Sequence, residues 1–244
     1  MTSTALPQDS GEGIRNCFDI EVSGATTRVP LRNINPFRRF PAKPASSVEP
    51  YFRKMAQLIP ALPYQAIDQI AAAFLEALQE GRRVFVFGNG GSAASASHMA
   101  CDMNKGLGEQ TSARRMKVMA LTDNVPVMTA LANDYGYEHV FSEQLKNFAQ
   151  ERDVALAISG SGDSPNILLA LKTARAMGAR TAGVAGFHGG AMKSLCDICA
   201  VVPSDDMRMI EDMHHAILHS IFTAMRETLR AEQEAAAAAG RFGR

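Results

Sequence analysis

Five short apolar runs, each followed by a longer amphipathic stretch, constrain this chain more than any other feature of its sequence. The runs occupy positions 84–87 (VFVF), 117–121 (KVMAL), 154–158 (VALAI), 181–184 (TAGV) and 198–202 (ICAVV). They are too short for core helices and lack the polar alternation of half-solvated strands, so they read as strands buried on both faces. Buried strands separated by helices predict a parallel sheet sandwiched between helices, a doubly wound, flavodoxin-like α/β domain with right-handed crossovers.

Around this region the character changes. The first 49 residues carry Ser, Thr, Pro and Gly with scattered Arg and isolated apolar pieces such as Phe18-Asp19-Ile20, and read as a mostly irregular extension. From Pro50, positions 51–59 and 66–78 read as helices, the second stopped by Gly81. A long closing helix is expected from Met207 to about Glu234, so the domain spans 50–234, and the Ala-rich segment 235–244 reads as a flexible, fraying tail.

Charge excludes whole classes of partner. Lys and Arg number 25 and Asp and Glu 25, so no overall field attracts nucleic acid or an anionic membrane. No apolar run reaches the roughly 20 residues of a membrane span, and the N-terminus lacks the basic-then-apolar order of a secretory signal. Four cysteines in an ordinary composition suit a reducing compartment. The expectation is a cytoplasmic protein with free thiols.

In an open parallel sheet, ligands gather beyond the carboxyl ends of the strands. Two segments there are suited to an anion. After the first run comes Gly88-Asn89-Gly90-Gly91-Ser92, whose glycines let backbone amides approach a ligand at a helix start. After the third comes Ser159-Gly160-Ser161-Gly162-Asp163-Ser164-Pro165, with three hydroxyls and a proline suited to the first helical turn. Singly, Ser92 or Ser164 reads equally well as a helix cap. Two such loops on one edge, neither with a nucleotide-binding pattern, point to a monophosphate. Asp163 is an unfavourable neighbour for it unless its carboxylate turns away.

The helix opened by the first loop carries His98 and Asp102 four residues apart, on one face. The last helix carries Glu211, His215 and His219 at intervals of four, with Asp212 and His214 pointing elsewhere. Such a set is equipped to bind zinc or to move protons. Spacing leaves open whether His215 or His219 completes it. Cys196 and Cys199 lack the second pair that a zinc knuckle needs and straddle a strand start.

Segments 88–102, 131–137, 159–166 and 210–219 resemble, in order and spacing, the motifs of bacterial phosphoheptose isomerases, over roughly residues 50–230. The resemblance implies the SIS fold with a five-stranded sheet, and a homotetramer with active sites at its interfaces. It implies conversion of sedoheptulose 7-phosphate into D-glycero-D-manno-heptose 7-phosphate through an enediol. By position it assigns the phosphate to Ser159, Ser161 and Ser164 and the sugar to Asn89, Gly90, Ser92, Asp134 and Glu211. His98, Asp102, Glu211 and His219 fall on the family's metal positions, implying one Zn2+ per subunit, and Asp102 and His219 on its catalytic pair.

The chain departs from the family at several of these places. Asp102 stands where glutamate is usual, Glu211 for glutamine, Gly160 for threonine and Met209 for arginine, and Arg208 replaces what can be an acidic sugar contact. Asp102 withdraws its carboxylate by about one C–C bond, while Glu211 adds a negative charge that favours a divalent cation. Two alternatives therefore stand beside the heptose assignment: isomerisation of another sugar phosphate, and a non-catalytic SIS module that senses sugar phosphates or docks on a replication initiator.

Overall fold

The computed structural model describes residues 17–22, 25–30, 46–107 and 115–241. The chain divides into two compact units, Met1–Glu49 and Pro50–Arg244.

In the first unit, β1 (Cys17–Val22) and β2 (Ala25–Pro30) pair antiparallel in register from Cys17↔Pro30 to Val22↔Ala25. This corrects the expectation of an irregular extension for these stretches. Phe18, Ile20 and Val22 alternate with Asp19 and Glu21, a period of two that only appears when the pieces are read together, and Thr26, Thr27 and Val29 favour the extended backbone. The rest of that extension lies outside the described residues.

The second unit opens with α1 (Glu49–Leu58) and α2 (Tyr64–Glu80). Then follow β3 (Arg83–Gly88), α3 (Gly91–Gly106), β4 (Lys117–Ala120), α4 (Val125–Tyr135), α5 (Ser142–Phe148), β5 (Val154–Ser159), α6 (Pro165–Ala176), β6 (Arg180–Ala185), α7 (Met192–Leu195), β7 (Ile198–Val201) and α8 (Met207–Arg241). All five expected strands form one parallel sheet in the order β4-β3-β5-β6-β7. The doubly wound class is therefore present, with its order reversing between β3 and β5, the place where such sheets open a crevice for ligands.

Two cores flank the sheet. One joins Phe74 of α2, Met99 and Met103 of α3 and Ile217 and Ile221 of α8 to Val84, Leu156 and Val184. The other joins Phe141, Leu145 of α5 and Ile167 and Leu171 of α6 to Phe85, Phe87 and Ala155. Consecutive strand residues thus face opposite cores, which is why the runs show no polar alternation. β4 is the exception: as an edge strand it alternates, with Lys117 and Met119 exposed and Val118 and Ala120 buried.

α8 runs 35 residues without a break through the alanine-rich segment, where a fraying tail was expected. Alanine has the highest intrinsic helix propensity, so the run extends the helix rather than ending it. Residues 242–244 lie outside the described ones. At the other end of the domain Tyr51 donates to Asp212, and Lys54 meets Asp206 at 3.5 Å, fixing α1 against the start of α8. Among the described residues no single helix is long and apolar enough to cross a membrane.

Candidate active site

Because β3 and β5 are adjacent, with Gly88 opposite Ile158, the two glycine- and serine-rich loops that follow them emerge side by side. Asn89 and Asn166 lock them together. The Asn89 amide donates to Asn166 Oδ1 at 2.9 Å, and the Asn166 amide donates back to Asn89 Oδ1 at 2.8 Å. Tyr137 donates its hydroxyl to the same Asn89 oxygen at 3.0 Å, bringing the segment after α4 to the loops. Neither Asn166 nor Tyr137 is among the residues singled out from the sequence. Asn166 is buried, and only its place as the second residue of the helix after the second loop could have signalled it.

The first loop turns at Gly90, whose φ of 56° with ψ of −120° suits a residue without Cβ. Ser92 is buried, with its amide bonded to the Asn89 carbonyl at 3.0 Å. In the second loop the Ser159 hydroxyl accepts from the Gly162 amide at 3.1 Å, and Ser161 accepts from Asp163 at 3.3 Å, so both brace the turn. Ser164 precedes α6 without capping it, its hydroxyl open to another partner. The Asp163 carboxylate turns away to accept from the Ala191 amide at 2.7 Å, which removes the unfavourable neighbour noted above. Over Gly160, where the related family carries threonine, sits the thioether of Met207. Asp134 is exposed at the end of α4, bonded to Asn133 at 2.8 Å, and no described contact joins it to the loops.

Gly162 sets a tight constraint. Its φ is 72°, and a Cβ there would collide with the Gly189 carbonyl oxygen of the next loop. Gly162→Ala is expected to lower the unfolding free energy by about 3 kcal/mol, combining left-handed strain with overpacking against backbone. Urea denaturation of the purified variant measures this, and a loss below about 1 kcal/mol would mean that the two loops are free to separate.

Beyond the loops, α3 and α8 bring four side chains together. His98 Nε2 lies 2.9 Å from His219 Nε2, and Asp102 Oδ2 lies 3.2 Å from His98 Nε2 and 3.5 Å from His219 Nε2. His215 joins them: donor nitrogens of His98, His215 and His219 all fall within 4.8 Å of one another. Burial, followed by the nearby rings of His219 and His98, pushes the His215 pKa down, and Ser95 Oγ approaches its Nδ1 at 3.5 Å. Spacing alone could not choose between His215 and His219, and both converge on His98.

Glu211 goes elsewhere. Its carboxylate lies toward Gly91, where a Cβ would sit 3.4 Å from Oε1, so it borders the first loop rather than the histidine group. Met209, at the position where the related family has arginine, is buried in the core and offers no group to a ligand.

The donor set suits zinc. Tetrahedral ligands at about 2.0–2.1 Å from the ion lie about 3.3 Å apart, and imidazole nitrogen with carboxylate oxygen is its common chemistry. The observed gaps of 2.9, 3.2 and 3.5 Å bracket that separation. At the opposite edge of the sheet a cleft of about 370 Å³ is lined by Arg152, Arg175 and Arg180 with Glu76, Glu80 and Asp197. Its charges pair with one another, Arg180 with Glu76 at 3.2 Å and Arg175 with Asp197 at 2.6 Å, which leaves little field for a ligand.

A family model described as SIS domain matches residues 50–186. The phosphoheptose isomerase of Pelobacter propionicus is 42% identical over 161 residues, 66% of this chain and 84% of that protein. That of a Bradyrhizobium species is 44% identical over 153 residues, 63% of this chain and 76% of that protein. The solved structure of a phosphoheptose isomerase from Francisella tularensis superposes with a TM-score of 0.69 at 32% identity, covering 74% of this chain and 96% of that one.

Proposed function

Since the chain belongs to the SIS-domain family, and within it to the phosphoheptose isomerases, we propose that it interconverts sedoheptulose 7-phosphate and D-glycero-D-manno-heptose 7-phosphate. The observation that carries this reading is the Asp102 carboxylate held between His98 and His219 beside two conjoined anion loops. A carboxylate and an imidazole at that distance form an acid–base pair of the kind an aldose–ketose isomerisation needs.

In the proposed reaction the phosphate sits on the 159–164 loop, at the free hydroxyl of Ser164 with Ser159 and Ser161. Asn89, Gly90, Ser92, Asp134 and Glu211 face the sugar. One of Asp102 and His219 takes a proton from the carbon next to the carbonyl, and the other carries a proton between the two oxygens of the cis-enediol. The proton returned to the neighbouring carbon completes the transfer. Zinc would be held by His98 and His219 together with Asp102 or His215, and would supply Lewis-acid polarisation of the sugar oxygens.

We further infer a cytoplasmic homotetramer whose interfaces reach the site. The support is α4, which packs Met128, Leu131 and Ala132 against the second core but leaves Val125 and Tyr135 exposed beside Tyr137. A patch of that kind marks a surface for association.

The test is incubation with sedoheptulose 7-phosphate in deuterium oxide, with added zinc and with a chelator. Aldose formation with deuterium at the former carbonyl carbon is expected, and chelator is expected to reduce it. Binding without exchange would overturn the isomerase assignment in favour of a sensor or another sugar phosphate. An absence of both would remove heptose phosphate as the ligand.

A further inference from the structure

The geometry points to a second reactive centre, away from the site: we propose that Cys196 and Cys199 form an oxidisable dithiol that closes to an intramolecular disulfide by exchange with a low-molecular-weight disulfide. Cys196 ends α7, its amide bonded to the Met192 carbonyl at 3.0 Å, and Cys199 is the second residue of β7. Between them Asp197 is pinned. Its carboxylate accepts from the Thr181 amide at 2.8 Å and hydroxyl at 2.9 Å and pairs with Arg175 at 2.6 Å, so its position is fixed and its charge is engaged.

Both thiols converge on one residue. Cys199 stands opposite Gly183 of β6 in the sheet register, and Cys196 Sγ covers the same glycine, 2.9 Å from where its Cβ would be. Cys196 and Cys199 border the same core, beside Met192 and Val201, and both are half-buried with their sulfurs unbridged. A side chain at position 183 would collide with Cys196 Sγ and the Met192 thioether.

The two are chemically unequal. Cys196 donates its S–H toward Cys199, which holds the Cys196 pKa up and lowers that of Cys199, with the Lys193 ammonium adding to the second effect. Cys199 is thus the nucleophile. Its thiolate attacks one sulfur of R–S–S–R, forming a Cys199–S–S–R mixed disulfide and releasing RS⁻. Cys196 then loses its proton and attacks Cys199 Sγ, releasing a second RS⁻. The protein loses two hydrogens and the small disulfide becomes two thiols. A switchable bond of this type, rather than a permanent one, is what a reducing compartment permits.

Trypsin, cutting after Lys193 and Arg208, releases 194–208 with both cysteines and neither Cys17 nor Cys101. The full chain is treated with oxidised glutathione without denaturant, alkylated, and this peptide is weighed. The expected result is a peptide lighter by two hydrogen masses and blocked to alkylation until reduced. Cys196→Ser should instead trap glutathione on Cys199, while Cys199→Ser should leave Cys196 unmodified. A parent peptide that alkylates fully after the treatment, or carries glutathione on either cysteine without closing, overturns the proposal.

Discussion

Asp102→Asn is expected to lower kcat for sedoheptulose 7-phosphate by about 10³-fold with little change in KM, in the range that loss of a positioned acid–base group produces. Asparagine keeps the size and the contacts of the side chain but neither accepts nor delivers a proton. The flanking contacts make the effect specific: Asp102 Oδ2 lies 3.2 Å from His98 and 3.5 Å from His219, so one oxygen serves both rings. Solvent deuterium uptake should fall in step with turnover. Zinc content, measured on the same sample, separates the two roles proposed for the carboxylate. A variant that keeps its zinc and loses exchange locates the defect in proton transfer, and one that retains turnover within about tenfold of the parent removes Asp102 from the chemistry. Asp102→Glu, which restores the family's longer side chain, tests whether the loops and helices here are spaced for the shorter one.

Acid unfolding should depend on one buried histidine. His214 is 1% exposed on α8, packed against the Ala185 main chain, and neither ring nitrogen has a hydrogen bond of good geometry. Burial pushes its pKa down to about 4 from the ordinary 6.5. Between these values the unfolded chain binds the proton and the folded one does not. The stability His214 contributes as a neutral group is therefore complete above pH 6.5 and is lost as the pH falls toward 4. The shift corresponds to about 3 kcal/mol over that window. His214→Leu removes the titration, so the stability difference between variant and parent should move by that amount in the variant's favour from pH 7.5 to pH 4. A difference that stays constant with pH would mean that water or another polar group reaches the ring.

How legible all this was in the sequence depends on which interactions decide each element. The sheet strands could be read because all but the edge strand β4 pack against two cores at once, leaving unbroken apolar runs such as VALAI. β1 and β2 escaped because their alternation emerges only across six residues with charged partners in between. The helical continuation of α8 was hidden by a misplaced expectation that alanine repeats fray. At the site, His98, Asp102 and His219 converge as the four-residue spacing on two helices allowed, but which face of α8 meets α3 is set by packing, and packing brought His215 in while turning Glu211 toward Gly91. Asn166 and Tyr137 were hidden for a similar reason: their meeting with Asn89 depends on the adjacency of β3 and β5, which no local pattern encodes.

The contacts that make the site are also among the most distant in the chain. Asn89 meets Asn166 across 77 positions and His98 meets His219 across 121. Closing loops of that length carries an entropic cost before any contact rewards it, and a fragment ending before α8 lacks His215 and His219. The same geometry couples occupancy to the lifetime of the fold. A ligand bridging α3 and α8 binds the native chain alone, and at a hundredfold excess over its Kd it adds roughly 2.7 kcal/mol to native stability. In a living cell, how much of this chain escapes proteolysis becomes a function of how much ligand the cell holds.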